Sequence, residues 1–158
     1  MNRGIKQVSF VNNRLFYPVS IFIGVISLLL SLSGCSGIPI SYYDATTYTH
    51  LTSLKAETTL LVESFDIKPV TENEINIEQV TLSLRKAYEY EYGKGDPNRD
   101  TSKQFKKIIT LFSEDVKDYR EDGPGTLGPK YFREASVVLG QAFDIAIATE
   151  NLKNKDKR

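Results

Sequence analysis

Cys35 is the only cysteine among the 158 residues and His50 the only histidine. A thiolate is the softest nucleophile a side chain offers, so Cys35 is where covalent chemistry is expected. It stands directly behind the apolar run "VSIFIGVISLLLSLSG", which ends in the small residues Ser33 and Gly34. Catalysis elsewhere meets obstacles. A nucleophilic triad would have to use His50, and the spacing supplies neither a partnered serine nor an orienting acid. Di-iron bundles need inward Glu-x-x-His pairs, and haem bundles need His with Met or a second His. Beyond residue 34 the chain has one His and no Met. His50, next to Leu51, reads as a boundary or hydrogen-bonding residue. No catalytic, metal-ligating or cofactor-binding residue is assigned.

The first 34 residues carry Arg3, Lys6 and Arg14 and no acidic residue, then the apolar run, then small residues. That is the layout of a secretory signal peptide. Leu32-Ser33-Gly34-Cys35 resembles the lipobox of bacterial lipoproteins. The resemblance implies cleavage between Gly34 and Cys35, a diacylglycerol on the sulfur and an N-acyl chain on the new amine of Cys35. Several acyl chains, at about 0.8 kcal/mol per buried methylene, would make membrane attachment effectively permanent. Ser36 follows the cysteine where Asp would stand in retained members, which implies the periplasmic face of the outer membrane if the cell is Gram-negative. The competing reading is an uncleaved transmembrane anchor, for which Val19 to Leu32 is short unless Leu15 to Pro18 join it. The resemblance covers the signal and anchor alone.

Removing the three basic residues of the signal from 20 leaves 17 against 20 acidic residues, a net charge of −3. A mildly acidic chain lacks the concentrated basic face of nucleic-acid binders. With Cys35 lipidated no disulfide is available, so the domain must be held by packing. Residues 35 to 42 form a linker whose six or so extended residues reach about 20 Å, and Pro39 keeps them extended.

From Tyr43 onward the apolar spacing is helical, and the domain is expected over 43 to 152. Leu51, Leu54, Leu61, Val62 and Phe65 share a face over 43 to 66, although six threonines between Thr46 and Thr59 leave a strand at 46 to 54 as an alternative. Thr71-Glu72-Asn73-Glu74 has the pattern of a capping box and opens a second helix with Ile77, Val80, Leu84 and Tyr88 inward, stopped at Gly93 and Gly95. Thr101-Ser102-Lys103-Gln104 opens a third in the same way, with Phe105, Ile108, Ile109, Phe112, Val116 and Tyr119 inward. Pro129 is placed for the first turn of a fourth, which runs to Asn151 with Phe132, Ala135, Leu139, Ala142, Phe143 and Ala146 inward. Val138 and Ile145 widen its apolar arc and make it the most buried. Four amphipathic helices with short connections predict an all-α, antiparallel up-down four-helix bundle.

"GPGTLGPK" at 123 to 130 faintly matches a phosphate loop. Pro129 separates Gly128 from Lys130, Tyr131 replaces the magnesium-binding hydroxyl, and a helical pattern precedes it, so it reads as a helix-to-helix connector. In "YEYEYGKG", Tyr90 points away from the core with Leu82 and Ile75, either as scattered surface apolars or as a partner surface. Most Asp and Glu fall outside the apolar faces, so an enzyme would lack inward polar groups.

Charge divides along the expected bundle. Glu72, Glu74, Asp118, Glu121 and Asp122 gather at one tip, while Lys94, Arg99, Lys153, Lys155, Lys157 and Arg158 gather at the opposite base. In the third helix, lysines near the N-terminus and acids in the C-terminal half oppose the helix dipole. Two readings stand: the base faces anionic head groups, at about 1 kcal/mol per basic group, or the charges pair between helices. The function expected is a lipid-anchored envelope lipoprotein, non-catalytic, acting as an interaction or structural module on an envelope protein partner through tip loops Ile67 to Thr71 and Gly123 to Pro129. A small-ligand carrier with a cavity near Ala135, Ala142 and Ala146 is the alternative. Exclusion or immunity roles follow from class analogy alone.

Overall fold

A computed structural model describes residues 41–153. The chain divides between Ile38 and Pro39, and the described residues all belong to the second part. The expected signal segment, Gly34, Cys35, the start of the expected linker, Lys155, Lys157 and Arg158 lie outside the described residues. Four helices follow one another: α1 (Ala45–Ser64), α2 (Val70–Tyr92), α3 (Arg99–Asp122) and α4 (Tyr131–Leu152), with a short 3-10 turn at Asp96–Asn98 before α3. No described helix is long and apolar enough to cross a membrane. α2 and α4 flank α1, α3 closes the square between the same two, and α1 with α4 forms the most extensive interface. Asp44 at the start of α1 meets Glu150 at the end of α4 and Tyr90 at the end of α2. At the far end Asp66, after α1, meets Phe132 and Arg133 at the start of α4. The arrangement is the antiparallel up-down bundle expected from the apolar periodicity.

α1 is helical throughout, including the threonine-rich stretch where a strand competed. Asp44 accepts the Thr46 N–H at 2.8 Å as N-cap. Thr49, Thr52, Thr58 and Thr59 turn their hydroxyls back onto the carbonyls of Ala45, Tyr48, Leu54 and Lys55, four residues earlier. That intrahelical bond lets a β-branched hydroxyl residue sit in a helix, and the buried Leu51, Leu54, Leu61 and Val62 supply the packing that overrides propensity.

Both capping boxes are corrected. α2 begins at Val70 with Pro69 as N-cap and no side-chain cap, so Thr71 already lies inside the helix. α3 begins at Arg99 because the 3-10 turn feeds straight into it, which buries Thr101 and Ser102 in the first turn. Pro129 precedes α4, whose N-cap is Lys130. The turn chemistry of "DGPGTLGPK" does stop α3: Gly123 and Gly125 both have φ of 74°, a left-handed conformation that glycine adopts without cost.

The core is apolar and aromatic. Phe65 and Tyr119 stack with centroids 4.0 Å apart, and Phe132 meets both edge-on. The Tyr119 hydroxyl donates to the Lys68 carbonyl at 2.7 Å and accepts from Asn73 Nδ2 at 3.1 Å, so the ring ties three helices and a connection together. Val138 and Ile145 are not part of this core. Both lie more than half exposed, one position out of phase with Leu139, Ala146 and the rest of the buried stripe, so α4 keeps an apolar outer face.

Candidate functional site

The Ser41 end of the bundle holds a polar cluster inside the fold. Glu91 and Glu150 are fully buried and continue the inward stripes of α2 and α4, one turn beyond Ala87 and Ala146. Each has a lysine three residues later. Lys94 returns to Glu91 at 3.0 Å and Lys153 to Glu150 at 2.7 Å, so the motif Glu-x-x-Lys occurs at the C-terminal ends of both helices. Cationic groups are favoured at those ends by the helix dipole.

The other elements complete the cluster. Thr47 of α1 donates its hydroxyl to Glu91 Oε1 at 2.7 Å and accepts from Lys94 Nζ at 2.6 Å. Asn98 donates Nδ2 to Glu91 Oε2 at 2.7 Å, and its Oδ1 accepts from Lys153 Nζ and from the Ser41 hydroxyl, both at 2.9 Å. Thr101 of α3 accepts from Lys153 at 2.9 Å, and Glu150 Oε1 accepts the Asp44 N–H at 2.7 Å. Ser41 also donates its N–H to the Pro97 carbonyl at 3.0 Å, which ties the incoming chain to the 3-10 turn.

At its rim Asp44 pairs with Lys94 at 2.8 Å and accepts the Tyr90 hydroxyl at 2.7 Å. Loss of water pushes the Asp44 carboxyl up, but hydrogen bonds from Lys94, Tyr90 and the Thr46 N–H outweigh it and hold the group well below the usual carboxylate range. Burial likewise pushes the Lys94 ammonium down, and its bonds to Asp44 and Glu91 hold it above its ordinary value. The Tyr90 ring lies under Lys94, with Nζ 4.3 Å from its centroid, and edge-on to His50 at 5.4 Å. Tyr90 thus borders the cluster through its hydroxyl and ring face and stays exposed on its other side, as Leu82 and Ile75 are. His50 sits at the boundary as expected, with a buried Nδ1 that has no hydrogen-bond partner.

Two expectations are corrected here. Inward polar residues exist. The signal for them was present in the sequence, since Glu91 falls in phase with Ile77, Leu84 and Ala87, and Glu150 with Leu139, Phe143 and Ala146. Lys94 and Lys153 are also turned into the fold, with Lys153 Nζ enclosed by Glu150, Asn98 and Thr101, so neither projects outward from the base. Arg99 is exposed in a groove of about 430 Å³ with the stacked Tyr88 and Tyr92, Lys103 and Lys106.

At the Gly123 end, Glu72 and Glu74 lie at the start of α2 and Asp118, Glu121 and Asp122 at the end of α3, and some of that charge is paired. Arg120 reaches Glu74 across from α3 to α2 and Lys117 meets Glu121 at 3.8 Å, while midway along the bundle Lys55 joins Asp144 between α1 and α4. Asp118 accepts the Tyr131 hydroxyl at 2.7 Å, which pushes that phenol up to about 12. Burial and the charges of Asp118 and Glu114 push Asp115 up to about 6. Ala146 is packed into the core, and Ala135 borders an open groove of about 260 Å³ between α3 and α4. A larger open groove of about 640 Å³ runs between α1 and α2, with Leu60, Val80 and Leu82 in its wall.

No family model, curated protein or solved structure matches the chain.

Proposed function

We propose that this chain is a lipid-anchored lipoprotein of the bacterial envelope whose helical bundle is a non-catalytic interaction module. The anchor rests on the lipobox resemblance at Leu32 to Cys35. The observation that carries the non-catalytic half is the closure of the polar cluster at the Ser41 end. Glu91 directs its acceptors at Thr47, Lys94 and Asn98, and Glu150 directs its own at Lys153 and the Asp44 N–H. A carboxylate whose oxygens are engaged this way, in a fully buried position, offers no face to a substrate and acts as a clasp on the four helix ends.

The mechanism is localisation: anchoring raises the effective concentration of the bundle for a neighbouring partner. The tip loops present Ile67 at 80 % exposure and Leu127 at 40 %, apolar groups suited to a protein contact. A small-ligand carrier is the second reading, favoured by the groove between α1 and α2 and not by the alanines of α4. The test is mass spectrometry of the protein from its native envelope, followed by crosslinking from the tip. A mature chain starting at an acylated Cys35, an uncleaved and unlipidated precursor in Cys35→Ser, and a protein crosslinked at Ile67 or Leu127 are expected. Processing and membrane attachment of Cys35→Ser like the original would overturn the anchor. Recovery of a small molecule in the α1–α2 groove with no protein partner would favour the carrier.

A further inference from the structure

The outer face of α4 carries an unpartnered apolar seam. Tyr131, Val138, Ile145 and Leu152 recur every seven residues and are 37, 51, 62 and 58 % exposed. Between them the smaller Ala135, Ala142 and Thr149 recur at the same interval and lie half-buried toward α3. Alternating steps of four and three along a helix are the pattern of a helix-packing seam, and small residues in it permit close approach of a second helix.

The neighbouring face of α3 carries charge in a definite order. Lys107 lies on its outer edge in the N-terminal half, and Glu114 and Asp118 in the C-terminal half, whereas Lys103 lines the groove toward α2 with Tyr88 and Tyr92. Among the described residues Lys107 and Glu114 form no ion pair, although the terminal turns of α3 carry Asp100 and Arg120 in the order the helix dipole favours.

Both patterns are symmetric about a point. Reversing α4 about the middle of the pair Gln141 and Ala142 places Val138 on Ile145 and Tyr131 on Leu152. Reversing α3 about the middle of Thr110 and Leu111 places Lys107 on Glu114. The two centres lie level in the fold. Gln104 donates to Thr149 at 2.8 Å and Tyr131 to Asp118 at 2.7 Å, and between them these bonds set the midpoint of α3 beside Val138 to Phe143, centred on Gly140 and Gln141. The mismatch is about one residue, or about 1.5 Å along the axis.

We propose that the chain forms an antiparallel twofold dimer through the α3–α4 face, with the α4 seams packed on each other and Lys107 of each α3 against Glu114 of the other. A single axis satisfies the apolar and the charged pattern together, which a different partner would not require. The face is about 33 Å long and two helices, about 20 Å, wide. It offers on the order of 650 Å² per copy, at the lower end of stable interfaces, so confinement on a surface would help the pair form. The inference goes beyond the anchored-module reading and stands whether or not Cys35 is lipidated.

Sedimentation of the full chain in detergent at about 10 μM, with helicity followed by circular dichroism, tests it. The original protein is expected to be a dimer. Ile145→Asp, at a position exposed in the single copy, should keep its helicity and weaken association at least about tenfold. Lys107→Glu and Glu114→Lys should each weaken it by about threefold to tenfold, and the double reversal Lys107→Glu with Glu114→Lys should restore it to within about twofold, because the swapped charges still face each other across the axis. A monomer at that concentration, a dimer unmoved by Ile145→Asp, or a double reversal no better than the singles would each overturn the proposal. So would a protein other than a second copy bound on the α4 seam, an outcome that leaves the interaction-module reading standing.

Discussion

Glu91 and Glu150 occupy positions that the stripe of each helix would give to a leucine, and that substitution of charge for apolar surface governs how the Ser41 end behaves. A buried ion pair is a weak source of net stability, because removing two charges from water costs nearly what their attraction returns. Breaking one is another matter. Glu91→Ala leaves Asn98 Nδ2 and the Thr47 hydroxyl without their acceptor and strips Lys94 of one carboxylate, although Asp44 still holds its ammonium. The expected loss is about 3 kcal/mol, against about half that for Glu91→Gln, which keeps an acceptor oxygen for Asn98 or Thr47. Chemical denaturation of the two variants beside the original gives the difference, and equal stability of Glu91→Ala would mean that the clasp contributes nothing. The sequence held the clue in the in-phase glutamates followed by lysines three residues on. Helical periodicity alone reads only which positions are apolar, so a charged residue on the core face is lost as noise until the fold shows Thr47, Asn98 and Thr101 converging on it from other elements.

The helices themselves were legible because their buried stripes are long and regular, and the boundaries were not because tertiary contacts replace local caps. Thr71 and Thr101 have the chemistry of N-caps, yet Pro69 and the 3-10 turn at Asp96–Asn98 start α2 and α3 before them. α4 has no side-chain cap of its own at Lys130. Its cap comes from the connection after α1, where Asp66 accepts the N–H groups of Phe132 at 3.2 Å and Arg133 at 3.1 Å. No local sequence rule finds a cap supplied from 66 residues away. Asp66→Ala frees two first-turn donors and removes a negative charge from the positive end of α4. It should lower the unfolding free energy by about 1 to 2 kcal/mol, read from the denaturant midpoint, while Asp66→Asn retains most of it. An unchanged midpoint in Asp66→Ala would show that water caps α4 as well as the carboxylate does. The exposed phase of Val138 and Ile145 was likewise misread, since a broad apolar arc looks the same on a deeply buried helix as on one with a second interface.

Across the whole molecule, the two halves of the bundle respond to pH in opposite directions. Asp115, in the outer half of α3, is pushed up to about 6 by burial and by its neighbours Asp118 and Glu114, with Glu134 of α4 and the Tyr131 ring in the same groove. An unfolded carboxyl titrates near about 3.9, so between about pH 6 and pH 4 the folded chain binds more protons than the unfolded one, and stability rises as the pH falls. Asp44 at the Ser41 end has the reverse sign. Its folded carboxyl is held below the ordinary range, so its contribution is complete above about pH 4 and is lost as the pH falls further. The bundle should therefore gain stability from pH 7 toward about pH 5 and lose it below about pH 4. Asp115 is partly open to water, which screens its neighbours' charges, so Asp115→Asn should add no more than about 1 kcal/mol at pH 7 and flatten the upper limb alone. Asp44→Asn should lower stability near neutrality and flatten the lower limb alone. Denaturant midpoints taken at intervals between about pH 3 and pH 8 separate the two limbs. A profile level from pH 7 to pH 5, or one that Asp115→Asn does not alter, would show that the ionised Asp115 costs the folded chain nothing.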